Sequence, residues 1–204
     1  MKAFTAAAAT LGLALLGGAT VSAAQAADTV RVRGTVESVD GAKLMVKTRE
    51  GTSTTIKLND NWKVTGVAKA SLNDIKPGDF VGIASLPKSR GGDGAIEVLV
   101  FPAAMKGTGE GSYPWDLKPN STMTNATVTN AVKDVDGRNI TVNYQGKEKT
   151  ISVADDTTVV TFAPAAVADL KPGMTVFVPS QKAEDGTLST GNVVAGTNGI
   201  VPPM

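Results

Sequence analysis

The sequence predicts an all-β fold of two small β-barrels in tandem. Two observations carry this prediction. Short segments alternate apolar and polar residues, which is typical of strands with one buried face. Several motifs also occur twice at nearly constant spacing, which indicates a duplicated unit. Asp74–Gly78 (DIKPG) recurs as Asp169–Gly173 (DLKPG), 95 positions later, and the motif ending at Gly41 recurs ending at Gly137, 96 positions later.

The first strand of each copy is predicted to be bent by a bulge. Its inward positions in the first copy are Val30, Val32, Gly34 and Val36. Val39 then breaks this parity by one residue, which predicts a bulge near Glu37 and Ser38. The second copy makes the same slip, through Ala126, Val128, Val132 and then Val135. Bulges bend a sheet toward closure, so the slip favours a barrel.

The remaining strands follow in the same order in both copies. Asp40–Gly41 and Asp136–Gly137 are hairpin turn signals. The later strands of the first copy are centred on Leu44–Val46, Ile56–Leu58, Val64–Val67, Val81–Ile83 and Ala95–Phe101. Their matches are Ile140–Val142, Ile151–Val153, Val159–Phe162, Val176–Val178 and Thr187–Ala195. Short strands in this number predict OB-like barrels, with a two-sheet sandwich as the alternative.

One short helical turn is predicted before the fifth strand of each copy. Ser71–Asp74 has the form of a capping box. Apolar residues three apart can close the open end of a barrel, and a Pro-Gly pair suits the middle of a type II turn. We therefore interpret the repeated motif as structural. Its residues are Leu72, Asp74, Ile75, Pro77 and Gly78, then Val167, Asp169, Leu170, Pro172 and Gly173.

The N-terminus has the pattern of a cleavable signal peptide. Lys2 precedes an apolar stretch over Ala6–Val21, and Ala24–Ala26 supplies the small residues of a cleavage site. We predict cleavage after Ala26 and a mature chain in the periplasm or secreted, without a membrane span. An uncleaved anchor is the alternative, although the stretch is short and Ala-rich for a span of about 20 residues.

The predicted organisation has four parts. Residues 1–26 are the signal peptide, 27–101 the first barrel module, 102–122 a Gly/Pro-rich connector, and 123–204 the second module with a C-terminal tail. The chain has no Cys, which excludes disulfides and a lipid-modified N-terminal cysteine. The 20 Lys and Arg balance 19 Asp and Glu, so we expect no nucleic-acid partner, which requires a basic face.

The connector is the candidate binding segment. Its three Pro and three Gly predict no regular structure, yet it holds two aromatic residues. A loop of this length is usually functional or a linker. The candidate ligand or partner-binding residues are Glu110, Tyr113, Trp115 and Asp116. The alternatives are that the aromatics fasten the two barrels together, or that the connector is a disordered tether.

The sequence offers little support for catalysis. The chain has neither His, the commonest general base, nor Cys, and no nucleophile or phosphate-loop motif occurs. We therefore predict no enzyme, no catalytic residue, no cofactor and no metal site. Asn59–Asn61 and Glu110–Asp116 come nearest to an oxygen-ligand site for Ca²⁺, Mg²⁺ or Mn²⁺. A carboxylate pair acting on glycans would need two buried acids in one cleft, which we do not expect.

The repeated pattern resembles a bacterial family. G-x-V-x-x-V-D-G, a strand, and L-x-D-[IL]-K-P-G stand here at Gly34–Gly41 and Leu72–Gly78, and the connector residues Gly107–Gly111 and Pro114–Asp116 add to the likeness. The chain is similar to secreted OB-like repeat-domain proteins with no established activity. Their relatives often carry the label "metal ABC transporter permease". A permease needs several membrane spans, and this sequence has only its signal segment.

The expected function is accordingly that of a periplasmic, non-enzymatic binding protein or structural protein of the envelope. Its partner would be an unknown envelope protein or small ligand. The alternative is an accessory protein of metal transport that uses oxygen ligands.

Overall fold

The computed structural model describes residues 28–134 and 137–202, so the predicted signal peptide lies outside the described residues. The described residues form twelve strands: β1 Asp28–Asp40, β2 Lys43–Thr48, β3 Ser53–Lys69, β4 Phe80–Pro87, β5 Asp93–Val100, β6 Gly111–Trp115, β7 Ser121–Asp134, β8 Gly137–Tyr144, β9 Lys147–Ala154, β10 Thr158–Pro164, β11 Thr175–Lys182 and β12 Leu188–Gly196. Single 3₁₀ turns lie at Leu72–Asp74, Ala103–Met105 and Val167–Asp169. The prediction of an all-β fold is confirmed.

One closed barrel is built from the two ends of the chain. Its strands pair in the ring β1–β2–β3–β12–β11–β1, and only the β3–β12 pairing is parallel. We call it the terminal barrel. Its core includes Val36, Leu44, Ile56 and Val193. Every strand of the ring has a partner on both sides, as closure requires.

The middle of the chain forms a second ring, in which three consecutive strands are again closed by a pair of strands from the other repeat. Its strands pair as β7–β8–β9–β5–β4–β7, again with one parallel contact, between β5 and β9. That contact is limited to Asp93 with Ile151 and Gly94 with Ser152. We call this ring the central barrel. Its own core contains Val81, Ile83, Ile140 and Ile151.

The two sequence repeats therefore exchange strands. The first three strands of the first repeat complete their barrel with the last two of the second repeat, for example through Asp28 opposite Lys182. The boundaries at 27–101 and 123–204 mark the repeats but not the barrels, which corrects the expected tandem arrangement. Because both repeats present equivalent strand edges, the sequence pattern alone does not determine which copy's last two strands close which ring.

The repeated motif follows the same exchange. Leu72 and Ile75 of the first copy are buried in the core of the central barrel, and the Gly78 N–H donates to the carbonyl of Val128 at 2.8 Å. The Gly173 N–H of the second copy donates to the carbonyl of Val36 in the terminal barrel at 2.9 Å. Both glycines have positive φ, 97° and 89°, as the predicted turns require.

The two 3₁₀ turns that close the barrels, Leu72–Asp74 and Val167–Asp169, differ in detail, and we call them the plugs. Leu170 is buried in the terminal barrel, as predicted, but Val167 is 47% exposed and does not repeat the role of Leu72. The Asp169 carboxylate accepts a hydrogen bond from the Ala166 N–H at 2.8 Å. In the first copy the Ser71 hydroxyl accepts from the Asn73 N–H at 3.1 Å. Each plug is thus capped, but by a different side chain.

A bulge interrupts the first hairpin of each barrel. The β1–β2 register shifts between Val36 and Ser38, as predicted. In the second copy the shift lies between Val128 and Asn130, earlier than the expected slip. Val132 is 53% exposed and therefore not the counterpart of Val36. The structural counterpart is Val128, 92 positions away, because the β7–β8 hairpin extends further. Val135 lies outside the described residues.

A third core joins the barrels. β10 pairs with β3 of the terminal barrel and with β5 of the central barrel. Around it, residues of both barrels pack in one buried cluster: Val67, Phe80, Leu99, Phe101, Val160, Phe177 and Val194. Phe80 and Phe101 contact at a ring-centroid distance of 5.2 Å. The two barrels therefore form one continuous structure.

Candidate functional site

The connector is more ordered than its Pro and Gly content predicts. Gly111–Trp115 forms strand β6, which pairs antiparallel with the start of β7, from Gly111 opposite Asn125 to Trp115 opposite Ser121. The expectation of no regular structure is wrong for these five residues. Pro114 is accommodated because β6 is an edge strand, where a missing N–H is tolerated.

Period-two alternation places Tyr113 and Trp115 on the same face of β6. Their rings make an edge contact at a centroid distance of 6.0 Å. Trp115 is half-buried and packs against the cluster that joins the two barrels. The guanidinium of Arg31 lies 4.1 Å from the centroid of its ring, a cation–π contact. Trp115 therefore fastens the connector to the seam between the barrels.

Asp116 completes this attachment. Its carboxylate accepts a hydrogen bond from the Arg33 guanidinium at 2.7 Å and lies 3.7 Å from Arg31. Arg33 is 9% exposed, whereas the side chain of Asp116 is 47% exposed. Partial burial acts to raise the pKa of Asp116, but the hydrogen bond and charge of Arg33 outweigh it, aided by Arg31. The pKa of Asp116 consequently lies below its ordinary value.

Tyr113 is likewise engaged within the protein. The buried Asn125 amide donates to the Tyr113 hydroxyl at 3.0 Å. Burial raises the pKa of Tyr113, and the positive charge of Arg31 opposes this only in part. The hydroxyl is therefore neutral at physiological pH and acts as a structural hydrogen-bonding group.

Glu110 contacts a different part of the protein, the turn between β8 and β9. Its carboxylate accepts from the Gln145 N–H at 2.8 Å, and its carbonyl accepts from the Gln145 side chain at 3.2 Å. Gln145 sits in the β8–β9 turn with a φ of 49°. Glu110 therefore holds the connector to the central barrel, while Asp116 holds it to the terminal barrel. The four candidate residues make internal contacts at two places, and the structure does not bring them into one pocket.

An open cleft lies beside the attached connector. It has a volume of about 560 Å³, within the range of about 300–1,000 Å³ typical of ligand pockets. Strands of both barrels, the connector and the C-terminal tail all contribute to it. Its charged lining residues are Arg33, Lys47, Arg49, Lys118 and Glu97. We call it the basic cleft.

Sequence reasoning missed these residues for a simple reason. Lys47 lies on β2, Arg49 directly follows it, Lys118 lies in the connector, and Glu97 lies on β5. Each is an ordinary charged residue in its own segment, and no spacing links them. The one local signal is Arg31 and Arg33, two cations on the same face of β1, whose other charged residues, Asp28, Glu37 and Asp40, are acidic.

A second cleft borders the first. Its volume is about 830 Å³, and the two share Glu97, Thr158 and Val201. It contains three cations, at Lys69, Lys133 and Arg138, and three acids, at Glu97, Asp155 and Asp156. The Arg138 guanidinium donates to Asn73 at 2.7 Å. The second cleft thus lacks the excess of one charge that distinguishes the basic cleft.

Nothing in the described residues supports a metal centre. Over 28–134 and 137–202, no group of three or more Asp, Glu, His or Cys residues lies close enough to hold a metal ion. Asp116 is paired with arginine, and Asp93 lies 2.8 Å from Lys149. Within the same residues, every helix is too short to traverse a bilayer.

No protein-family model, curated protein or solved structure matches the chain. The resemblance to secreted repeat-domain proteins therefore stays a prediction from the motifs.

Proposed function

We propose that this protein is an exported, non-enzymatic binding protein of the bacterial envelope, and that the basic cleft is its binding site. The observation that carries the proposal is the cleft itself. It is of ligand size, it is open, and its walls come from both barrels, the connector and the tail. Sites of this kind are common where two structural units meet.

The rigidity of the surroundings supports the same proposal. The joining cluster and strand β10 hold the two barrels together, while Trp115 and Asp116 fix the connector beside the cleft. A cleft whose walls are already in place loses little entropy on binding. The absence of His and Cys from the whole sequence supports binding in preference to catalysis.

Two valines provide a matched test. Val201 lines the cleft and is 63% exposed, whereas Val167 is exposed on the plug of the terminal barrel, outside the cleft lining. The mature protein and its Val201→Trp and Val167→Trp variants would each be recovered from the periplasm and studied by native mass spectrometry. We expect bound small molecules on the wild type and Val167→Trp but not on Val201→Trp.

The same spectra report the export prediction, since cleavage after Ala26 leaves Ala27 as the first residue. Equal ligand occupancy in both variants would contradict a binding role for the cleft. An intact N-terminus on protein from the membrane fraction would contradict export by a cleaved signal peptide.

A further inference from the structure

The basic cleft combines apolar walls with an excess of positive charge. Its apolar lining residues are Ile96, Leu117, Val176, Val201 and Pro202. They come from β5, the connector, β11 and the C-terminal tail. Pro202 is buried and Val201 is exposed, so the tail forms one wall of the cleft. An apolar body can therefore lose contact with water in this cleft.

The positive charge is only partly neutralised by the protein. Arg33 is held by Asp116, but Lys47, Arg49 and Lys118 have no carboxylate within 4 Å among the described residues. The side chains of these three residues are exposed at the cleft. Glu97 is the single acid among the described lining residues, and it lies where the two clefts meet. The cleft thus retains cations that can be paired by a ligand.

We propose that the basic cleft binds a small amphiphilic anion, with one carboxylate or phosphate group on an apolar body. This rests on the proposed function of the cleft. The anionic group would face Lys47, Arg49 and Lys118, and the apolar body would lie against the tail and Leu117. A long polyanion would leave the apolar wall unused. A nucleic acid would need aromatic faces, and the ring of Trp115 is already covered by Arg31.

Two fluorescent probes separate the anionic group from the apolar body. Anilinonaphthalene sulfonate carries one negative charge, and N-phenylnaphthylamine has a similar apolar body without it. We expect the mature wild-type protein to bind the sulfonate at least about fivefold more tightly, a preference that salt reduces because exposed charges are screened. An unchanged near-ultraviolet circular dichroism spectrum would show that the probe binds the folded protein.

Charge variants locate the binding. Lys118→Gln and Arg49→Gln should each weaken sulfonate binding about two- to fivefold, the range typical of one exposed charge pair. Glu97→Gln should strengthen it by a similar factor. Lys57→Gln is the matched control, since Lys57 is an exposed strand lysine of the terminal barrel outside the cleft. None of these changes should alter binding of the neutral probe by more than the control does.

Displacement then identifies the anionic group. Decanoate and decyl phosphate should displace the sulfonate probe, whereas decanol should not, and the tighter of the two anions reveals which chemistry the cleft prefers. Equal binding of both probes, unaffected by the charge variants, would overturn the anion proposal but leave a cleft that binds apolar ligands. Failure of both probes, together with equal ligand occupancy in the two valine variants, would overturn the proposed function as well.

Discussion

Replacing Asp116 with Asn tests whether the connector is fastened to the terminal barrel by its ion pair. The substitution leaves the shape of the side chain but removes the charge that neutralises Arg33, which is 9% exposed. Breaking a buried pair costs about 3–5 kcal/mol, and an exposed pair contributes about 0–1 kcal/mol. Because Asp116 is half exposed, solvent screens the pair, and we expect a loss of about 1–2 kcal/mol.

Urea unfolding at pH 7, followed by Trp fluorescence, would measure this loss in the mature protein. In thermal unfolding it corresponds to a decrease in Tm of about 3–6 °C for a protein of this size. Asp60→Asn is the control, since Asp60 is exposed on β3 and makes no ion pair among the described residues. If the two variants were equally stable, the proposed role of Asp116 in holding the connector would be wrong.

The pH dependence gives an independent check. The folded pKa of Asp116 is lowered, because the hydrogen bond and charge of Arg33 outweigh the effect of burial. The ion pair therefore stabilises the fold fully above the ordinary aspartate pKa of about 3.9. Its contribution decreases as the pH falls below that value and is lost once the pH passes the lowered pKa. The wild type and Asp116→Asn should converge in stability at acid pH, and a constant difference would refute this explanation.

Three further predictions follow from the fold. The Trp115 indole N–H is buried without a hydrogen-bond partner among the described residues. Trp115→Phe should therefore change the unfolding free energy by less than about 1 kcal/mol. Trp115→Ala removes the packing of the ring and should cost about 2–3 kcal/mol. Val128→Ala should cost about 2 kcal/mol and Val132→Ala less than about 0.5 kcal/mol in urea unfolding, because only Val128 is buried. Residues 28–101 alone should show no cooperative thermal transition, since β1–β3 lack the strands that close their barrel.

Local patterns in the sequence located most of the strands because burial alternates with period two. The strands predicted separately at Ile56–Leu58 and Val64–Val67 instead form the single strand β3. Leu44 and Val46, and likewise Ile140 and Val142, are fully buried as the alternation predicts. The bulge after Val36 was also readable, since a change of parity requires one extra residue. These features depend on neighbouring residues alone, so one sequence is sufficient to recognise them.

The pairing of the two copies could not be read in the same way. The turn at Gly78 would form the same hydrogen bonds with Val36 as it forms with Val128, because the two acceptors occupy equivalent positions. The similarity that revealed the repeats therefore concealed which copy closes which ring. Aligning the Val-Asp-Gly motif of the two copies also makes Val132 the counterpart of Val36. Val132 is exposed and Val128 is buried, so Val128 is the structural counterpart.

The candidate site was partly recognised. The sequence predicts Trp115 and Asp116 as candidates because their segment is unusual, and they lie next to the basic cleft, where Asp116 pairs with Arg33 and precedes Leu117 and Lys118. Arg33 alternates with the inward-facing valines of β1, a position that is typical of an exposed side chain, yet it is buried and paired with Asp116 of the connector. Lys47, Arg49 and Lys118 meet only in three dimensions.

The exchange of strands also bears on how the molecule is made. Asp28 on β1, the first described strand, opposes Lys182 on β11, so β1 cannot complete its barrel until most of the described strands have been synthesised. Until then the amino-terminal half exposes unpaired strand edges, and pairings so distant in sequence form slowly. A chain that cannot close its barrels until its synthesis is nearly complete stays unfolded, as passage through an export channel requires. It depends on protection from aggregation over that interval.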